Sequence, residues 1–209
     1  MNQNNIRVLI VDDHPVVRTG LALMIKYEPG MEVVAETGDG AEAVQLFRQH
    51  QPDVMLMDLR MPGMGGVDAI TAILKEFPDA CIIVLTTYDG DEDIYRGLQA
   101  GARGYLLKGT SCDELLDAIR KVHAGQTYIP VEVGAKLAIR LSGPQLSKRE
   151  QDVLRLLGTG MSNREIANTL GIAEGTIKFH VNNILTKLQV NDRTQAALIA
   201  SKRGIADLK

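Results

Sequence analysis

The chain has 209 residues, of which 45% are hydrophobic and 23% charged, with a formal net charge of −3. That length allows one or two domains with ordinary packed cores. No apolar run reaches the roughly eighteen residues a membrane helix needs, no basic-then-apolar segment opens the chain, and Cys81 and Cys112 form no CxxC pair. Membrane insertion, export and a disulfide framework are therefore not indicated, and a cytoplasmic protein with reduced, packing cysteines is expected.

In chain order, short runs rich in Val, Ile and Leu occur at Ile6 to Val11, Val54 to Met57, Ile82 to Leu85 and Gly104 to Leu107. Such runs read as strands buried on both faces. A weaker fifth, Glu32 to Ala35, comes after the first. Apolar spacings of three and four predict helices over Val16 to Tyr27, Ala41 to His50, Val67 to Phe77, Asp91 to Ala100 and Asp113 to Val122. Strict strand-helix alternation over about 120 residues predicts an open α/β domain with a parallel sheet. Asp12-Asp13, Asp58, Thr86 and Lys108 each stand at the end of one clear run. In such folds ligands sit beyond the carboxyl ends of the strands, near a topological switch, so these residues are expected to converge.

A segment from Gly125 to Gln145, punctuated by Pro130, Gly134, Gly143 and Pro144, reads as a linker, with a short helix over Val131 to Leu141 inside it. The charge changes across it: residues 1–144 carry seven more acids than bases, and residues 145–209 carry four more bases than acids. A basic second part favours a polyanionic partner. Beyond the linker, Ser147-Lys-Arg-Glu150 and Ser162-Asn-Arg-Glu165 are two capping boxes, each opening an amphipathic helix. Gly171 marks the corner of a helix-turn-helix before a third run from about Glu174 to Leu188. There Ile177, Val181, Ile184, Leu185 and Leu188 share an inward face, leaving Thr176, Lys178, Phe179, Asn182, Asn183 and Thr186 for other surfaces. Lys, Asn and Thr suit phosphates and base edges in a major groove, although composition alone favours ordinary solvated positions on a small bundle.

Three carboxylates forced together repel unless a cation sits among them. A hard, oxygen-ligated ion, with Mg²⁺ foremost, is the expected guest. It would screen an incoming phosphoryl group, so that Asp58 can act as a nucleophile with Lys108 and Thr86 donating to the phosphoryl oxygens. The bland alternative is that Asp12, Asp13 and Asp58 merely begin loops. His14, with Pro15 next to it, reads as a helix-start residue more than as a metal ligand.

Four motifs carry a family resemblance: Val-Leu-Ile-Val-Asp12-Asp13-His14, Met-Leu-Met-Asp58-Leu-Arg-Met-Pro62-Gly63-Met-Gly-Gly66, Leu-Thr86-Thr87 and Gly101-Ala-Arg-Gly104-Tyr105-Leu-Leu-Lys108. Residues 1–125 resemble the receiver domain of two-component response regulators. The resemblance implies a flavodoxin-like five-stranded parallel sheet and an Asp58 phosphorylated by a histidine kinase. It also implies Mg²⁺ held by Asp13, Asp58 and the backbone carbonyl of Arg60, with Asp12 contacting it through water, and a switch pair of Thr86 and Tyr105. One departure is Gly109, where receivers often have the proline of a cis peptide after the lysine.

Residues 146–209, after a linker over 126–145, resemble the LuxR-type four-helix DNA-binding domain. The carriers are Leu146-Ser-Lys-Arg-Glu150-Gln-Asp-Val-Leu154, Gly160-Met-Ser-Asn163-Arg-Glu165-Ile-Ala167, Gly175-Thr176-Ile177-Lys178-Phe-His180-Val-Asn-Asn183 and Asp192-Arg193-Thr194-Gln195-Ala196. By position, Lys178 and Asn182 lie where the family contacts bases and phosphates, with Phe179 between them and Thr176 near the backbone. Ala173 departs from the Ser or Thr cap common at the start of the recognition helix. Together the halves resemble the NarL/FixJ architecture. That implies a transcription regulator whose dimerisation and DNA binding depend on phosphorylation of Asp58, with a histidine kinase, double-stranded DNA and RNA polymerase as partners. No chemistry on a separate substrate is expected, only gain and loss of phosphate on Asp58. A phosphorylation-independent regulator and a phosphotransfer intermediate are the alternatives.

Overall fold

The structure is a computed structural model and describes residues 5–87, 91–142, 146–202 and 205. Two parts of the segments named above, 143–145 in the linker and 203, 204 and 206–209 at the end of the helical region, lie outside the described residues. The chain separates into two compact units, Met1–Leu137 and Ala138–Lys209.

In the first unit β1 (Ile6–Val11), β2 (Met31–Thr37), β3 (Val54–Met57), β4 (Ile82–Thr86) and β5 (Gly104–Leu107) form one parallel sheet in the order β2-β1-β3-β4-β5. The crossovers are α1 (Pro15–Lys26), α2 (Gly40–His50), α3 (Gly66–Glu76), α4 (Asp91–Gln99) and, after β5, α5 (Cys112–His123). All residues of β3 and β4 are buried, as their unbroken apolar runs require of strands covered on both faces. Strand β2 is longer than its sequence pattern, because at the edge of the sheet only Met31 and Thr37 are buried and Glu32 and Glu36 interrupt the apolar run. Two apolar clusters cover the two faces. One contains Leu9, Phe47, Met55, Ile70 and Tyr105, and the other Val8, Ile10, Ile25, Leu56 and Ile119. Each fully buried aliphatic side chain contributes about 1.5–3 kcal/mol. Cys81 and Cys112 are free, partly buried thiols packed against the second cluster.

The segment expected as a linker is more than a spacer. Tyr128 forms an isolated parallel bridge with Gly104 beyond β5, and α6 (Val131–Ser142) comes next. Ile129, Val133 and Leu137 join the cluster that holds Tyr105. The first compact unit thus takes in the start of the expected linker, as far as Leu137, since these apolar residues hold to it a segment whose Pro and Gly set only its turns.

The second unit is α7 (Lys148–Gly158), α8 (Asn163–Leu170), α9 (Glu174–Leu188) and α10 (Arg193–Lys202) around Val153, Leu154, Ile166, Ile177, Ile184, Ala196 and Ala200. Both capping boxes form, Ser147 with Glu150 and Ser162 with Glu165. Gly171 ends α8 at φ +64°, the left-handed corner that favours glycine. Among the described residues no helix is long and apolar enough to cross a membrane.

Candidate functional site

The strand order reverses between β1 and β3, so the loops that leave these two strands open the crevice of the receiver. The register sets Val11 beside Met57, and the Asp58 N–H donates to the Val11 carbonyl at 2.9 Å. Asp12 and Asp58 therefore leave adjacent strands side by side. Across the sheet Thr86 pairs with Leu107, and the Lys108 N–H donates to the Thr86 carbonyl at 2.9 Å, which brings lysine and threonine to the same edge.

The Lys108 ammonium lies 2.8 Å from Asp12 Oδ2 and 2.6 Å from Asp58 Oδ2. All three side chains are buried: 1% of Asp12, 3% of Asp58 and 5% of Lys108 is exposed. Burial pushes the Asp58 carboxyl above the ordinary carboxylate range, against the pull of Lys108 and of the Arg60 N–H that donates to Asp58 Oδ1 at 3.2 Å. Burial alone would lower the Lys108 ammonium, but its two carboxylates outweigh that and raise it.

Ligand atoms of Asp12, Asp13, Asp58 and His14 lie within 4.8 Å of one another. Asp12 Oδ2 and Asp13 Oδ1 are buried, with the Lys108 ammonium 2.8 Å from the first and His14 Nδ1 2.7 Å from the second. Carboxylate oxygens gathered this closely are the donor type that a hard cation takes. His14 begins α1 ahead of Pro15, and its N–H donates to Asp12 Oδ1 at 2.8 Å. Its imidazole is mostly exposed, so it starts the helix and also rims the cluster.

Glycine is demanded at position 66, because a Cβ there would stand 2.1 Å from the Asp58 carbonyl oxygen and 2.8 Å from Leu59 Cα. The start of α3 thereby packs directly beneath the loop that presents Asp58. Thr86 and Tyr105 are both buried, with the tyrosine ring inside the core. No cis peptide occurs among the described residues, so the Lys108–Gly109 bond is trans. A contact the sequence did not disclose joins Arg60 to Asp93 of α4 at 2.7 Å. Only the 33-residue separation of the two charges on different elements hid it.

In the helical unit Thr176, Lys178, Phe179 and Asn182 all stand exposed on α9, while Ile177, Val181 and Ile184 are buried beneath them. Phe179 is 61% exposed and meets the ring of His180 edge-on at 5.8 Å. Lys178 pairs with Glu174 at 3.0 Å, a solvent-facing contact worth about 0.3–0.5 kcal/mol that a phosphate readily replaces. Ala173 caps α9 without a side-chain bond. Glu150, nearly buried, accepts from the Ser147 N–H at 2.7 Å and from Lys187 of α9 at 2.6 Å, which ties the first and third helices of the unit together.

Comparison with known proteins covers both units. Residues 8–120 match the response regulator receiver domain, and residues 144–200 match the bacterial regulatory proteins of the luxR family. The chain is 43% identical to the transcriptional regulatory protein LiaR of Bacillus subtilis, over 97% of this chain and 100% of that one. It is 40% identical to the response regulator protein VraR of Staphylococcus aureus, over 96% and 98%. Among solved structures, RcsB of Salmonella typhimurium superposes with a TM-score of 0.78 at 28% identity, covering 94% of this chain and 100% of RcsB. A structure of two RcsB dimers bound to two parallel DNAs superposes at 0.76 with 29% identity, covering 96% and 99%. The chain belongs to the response regulators in which a receiver domain is joined to a LuxR-type DNA-binding domain, and it is a regulator of transcription.

Proposed function

We propose that a histidine kinase phosphorylates Asp58 and that this modification controls dimerisation and sequence-specific DNA binding. One observation carries the reading: a buried carboxylate sits against an ammonium and beside two further carboxylates, in a chain whose other unit exposes Thr176, Lys178, Phe179 and Asn182 on one helix. An Asp58 carboxylate oxygen attacks the phosphorus of the kinase's phosphohistidine. The new P–O bond forms as the P–N bond breaks, and the released imidazole takes a proton. Lys108 already holds its charge where the phosphoryl oxygens arrive, and the Thr86 hydroxyl donates to one of them.

Asp12, Asp13, Asp58 and the Arg60 carbonyl would hold Mg²⁺, Asp12 through water. When bound, the ion neutralises the clustered carboxylates and the incoming phosphoryl charge. Hydrolysis of the same P–O bond returns Asp58 to its free state, so the protein acts on no separate substrate. Thr86 and Tyr105 form the switch pair. On DNA, Lys178 and Asn182 read base edges and phosphates, Phe179 contacts thymine methyl groups and Thr176 meets the backbone. Dimeric binding, as in the RcsB dimers bound to DNA, lets two small contact surfaces read paired half-sites. Cytoplasmic residence and contact with RNA polymerase complete the reading.

The test is a DNA-binding titration at fixed salt with a promoter fragment from the protein's own operon. Wild type and Asp58→Ala are compared in Mg²⁺ with and without acetyl phosphate. Wild-type binding tightens about tenfold with the donor, equivalent to ~1.4 kcal/mol, and Asp58→Ala does not respond. Equal binding under all conditions overturns the switch in favour of a phosphorylation-independent regulator. Absence of salt-sensitive duplex binding points instead to a phosphotransfer intermediate.

A further inference from the structure

A parallel sheet normally leaves the outer backbone of its last strand unpaired, and here the chain's own continuation closes that edge. The Tyr105 N–H donates to the Tyr128 carbonyl and the Tyr128 N–H to the Arg103 carbonyl, both at 2.9 Å. The Tyr128 side chain turns toward α5, where its hydroxyl donates to Glu114 Oε1 at 3.0 Å and Lys121 Nζ lies 5.2 Å from the ring centroid. Ile129, Val133 and Leu137 go to the other face and share one buried cluster with Tyr105, whose side chain is completely buried. Pro130 has no N–H to continue the pairing, and α6 starts immediately after it. The strand that carries Tyr105 is therefore held by backbone along its edge and by side chains on both faces.

Helix α6 is continuous from Val131 to Ser142, while the compact receiver unit ends at Leu137. Its first turns belong to the cluster around Tyr105, and its last turn belongs to the other unit. Cores are close-packed, so a large ring cannot change position inside one without its neighbours moving too.

We propose that residues 127–137 are a clasp on the receiver that reads the position of Tyr105 and transmits it along α6. The proposal rests on the switch role given above to Asp58, Thr86 and Tyr105. The closed clasp is the arrangement seen here. Phosphorylation of Asp58 displaces Thr86 and Tyr105, the pairing of Tyr128 with β5 loosens, and the start of α6 is released from the receiver.

Residue-resolved amide exchange on the full chain in Mg²⁺, with and without acetyl phosphate, tests this beside DNA binding and the intact mass. In wild type the donor lowers protection of the Tyr105 and Tyr128 amides roughly tenfold, and in Asp58→Ala it does not. Val133→Ala loosens the same amides without donor and tightens DNA binding without donor. Tyr128→Phe, which loses only the Glu114 bond and keeps the ring, does the same to a smaller extent and guards against a misfolded Val133 variant. If the donor phosphorylates Asp58 and tightens DNA binding while both amides keep their protection, the clasp is static and the proposal is overturned, though the phosphorylation reading stands. If Asp58 is never phosphorylated, both fall.

Discussion

Asp58 combines two opposed demands, burial deep enough to raise its pKa and an ammonium close enough to keep much of its charge. The loop after β3 that carries it rests directly on Gly66. Gly66→Ala forces a Cβ against the Asp58 carbonyl and Leu59, so either α3 or the loop must move. The expected result is a loss of about 1–3 kcal/mol in urea unfolding and slower uptake of phosphate from acetyl phosphate. An Asp58 loop that absorbs the methyl with neither effect would show that the contact places no constraint on the carboxylate. At this scale Asp12, Asp13, Asp58, Thr86 and Lys108 were legible because each is a polar residue ending an apolar strand, and parallel pairing brings such ends to one edge. Tyr105 was legible only through family resemblance, since a tyrosine in an apolar strand is an ordinary core residue. Arg60 with Asp93 was not legible at all, because an ion pair between distant elements leaves no local pattern.

Helix ends decide much of the second unit. Two of its helices start with complete capping boxes, whereas α9 starts at Ala173, whose extended backbone at φ −67° and ψ 143° already suits a cap. Ala173→Ser supplies the missing acceptor and stabilises the unit by about 0.5–1 kcal/mol, readable as a higher midpoint in thermal unfolding monitored by circular dichroism. The same serine is expected to slow amide exchange in the first turn of α9; unchanged exchange there means the turn is held by other contacts. Glu150 carries a pH dependence. Its burial works to raise the carboxyl, but Lys187 and Ser147 outweigh that and hold it below the ordinary glutamate range. A carboxyl lowered on folding stabilises above its unfolded value near 4.3, and that contribution is lost as pH falls through the lower folded value. Protection of α7 and α9 therefore weakens below about pH 4, and Glu150→Gln abolishes that acid step while costing about 1–3 kcal/mol at neutral pH. If the acid step survives in Glu150→Gln, another carboxylate causes it. The boxes were legible as Ser-x-x-Glu, but the second bond of Glu150 was not, because Lys187 is 37 residues away and belongs to another periodic pattern.

For the whole molecule, the sequence marks the two folds and a border within 126–145, where the two compact units part after Leu137, but it reads that segment as a spacer. Glycines and prolines over 125–145 punctuate turns, and that signal is the same whether the residues between are solvated or buried. The two cases differ in whether Tyr128, Ile129, Val133 and Leu137 find apolar or hydrogen-bonding partners, which depends on β5 and the cluster under it and not on their own neighbours in the chain. The border can be tested by truncation. A fragment ending at residue 125 loses two backbone hydrogen bonds at the β5 edge and the burial of three aliphatic side chains, one of them almost complete. These lost bonds and this lost burial weaken the β5 edge and the cluster around Tyr105 in the shorter fragment. Urea unfolding of fragments 1–125 and 1–137 then gives a higher midpoint for the longer piece. The shorter one also exposes Tyr105 to faster amide exchange and to apolar dye binding. Equal midpoints would place 126–137 outside the cooperative unit and leave α6 as a tether, in which case a change at Asp58 would have to reach the DNA-binding helices by a route that bypasses the β5 edge.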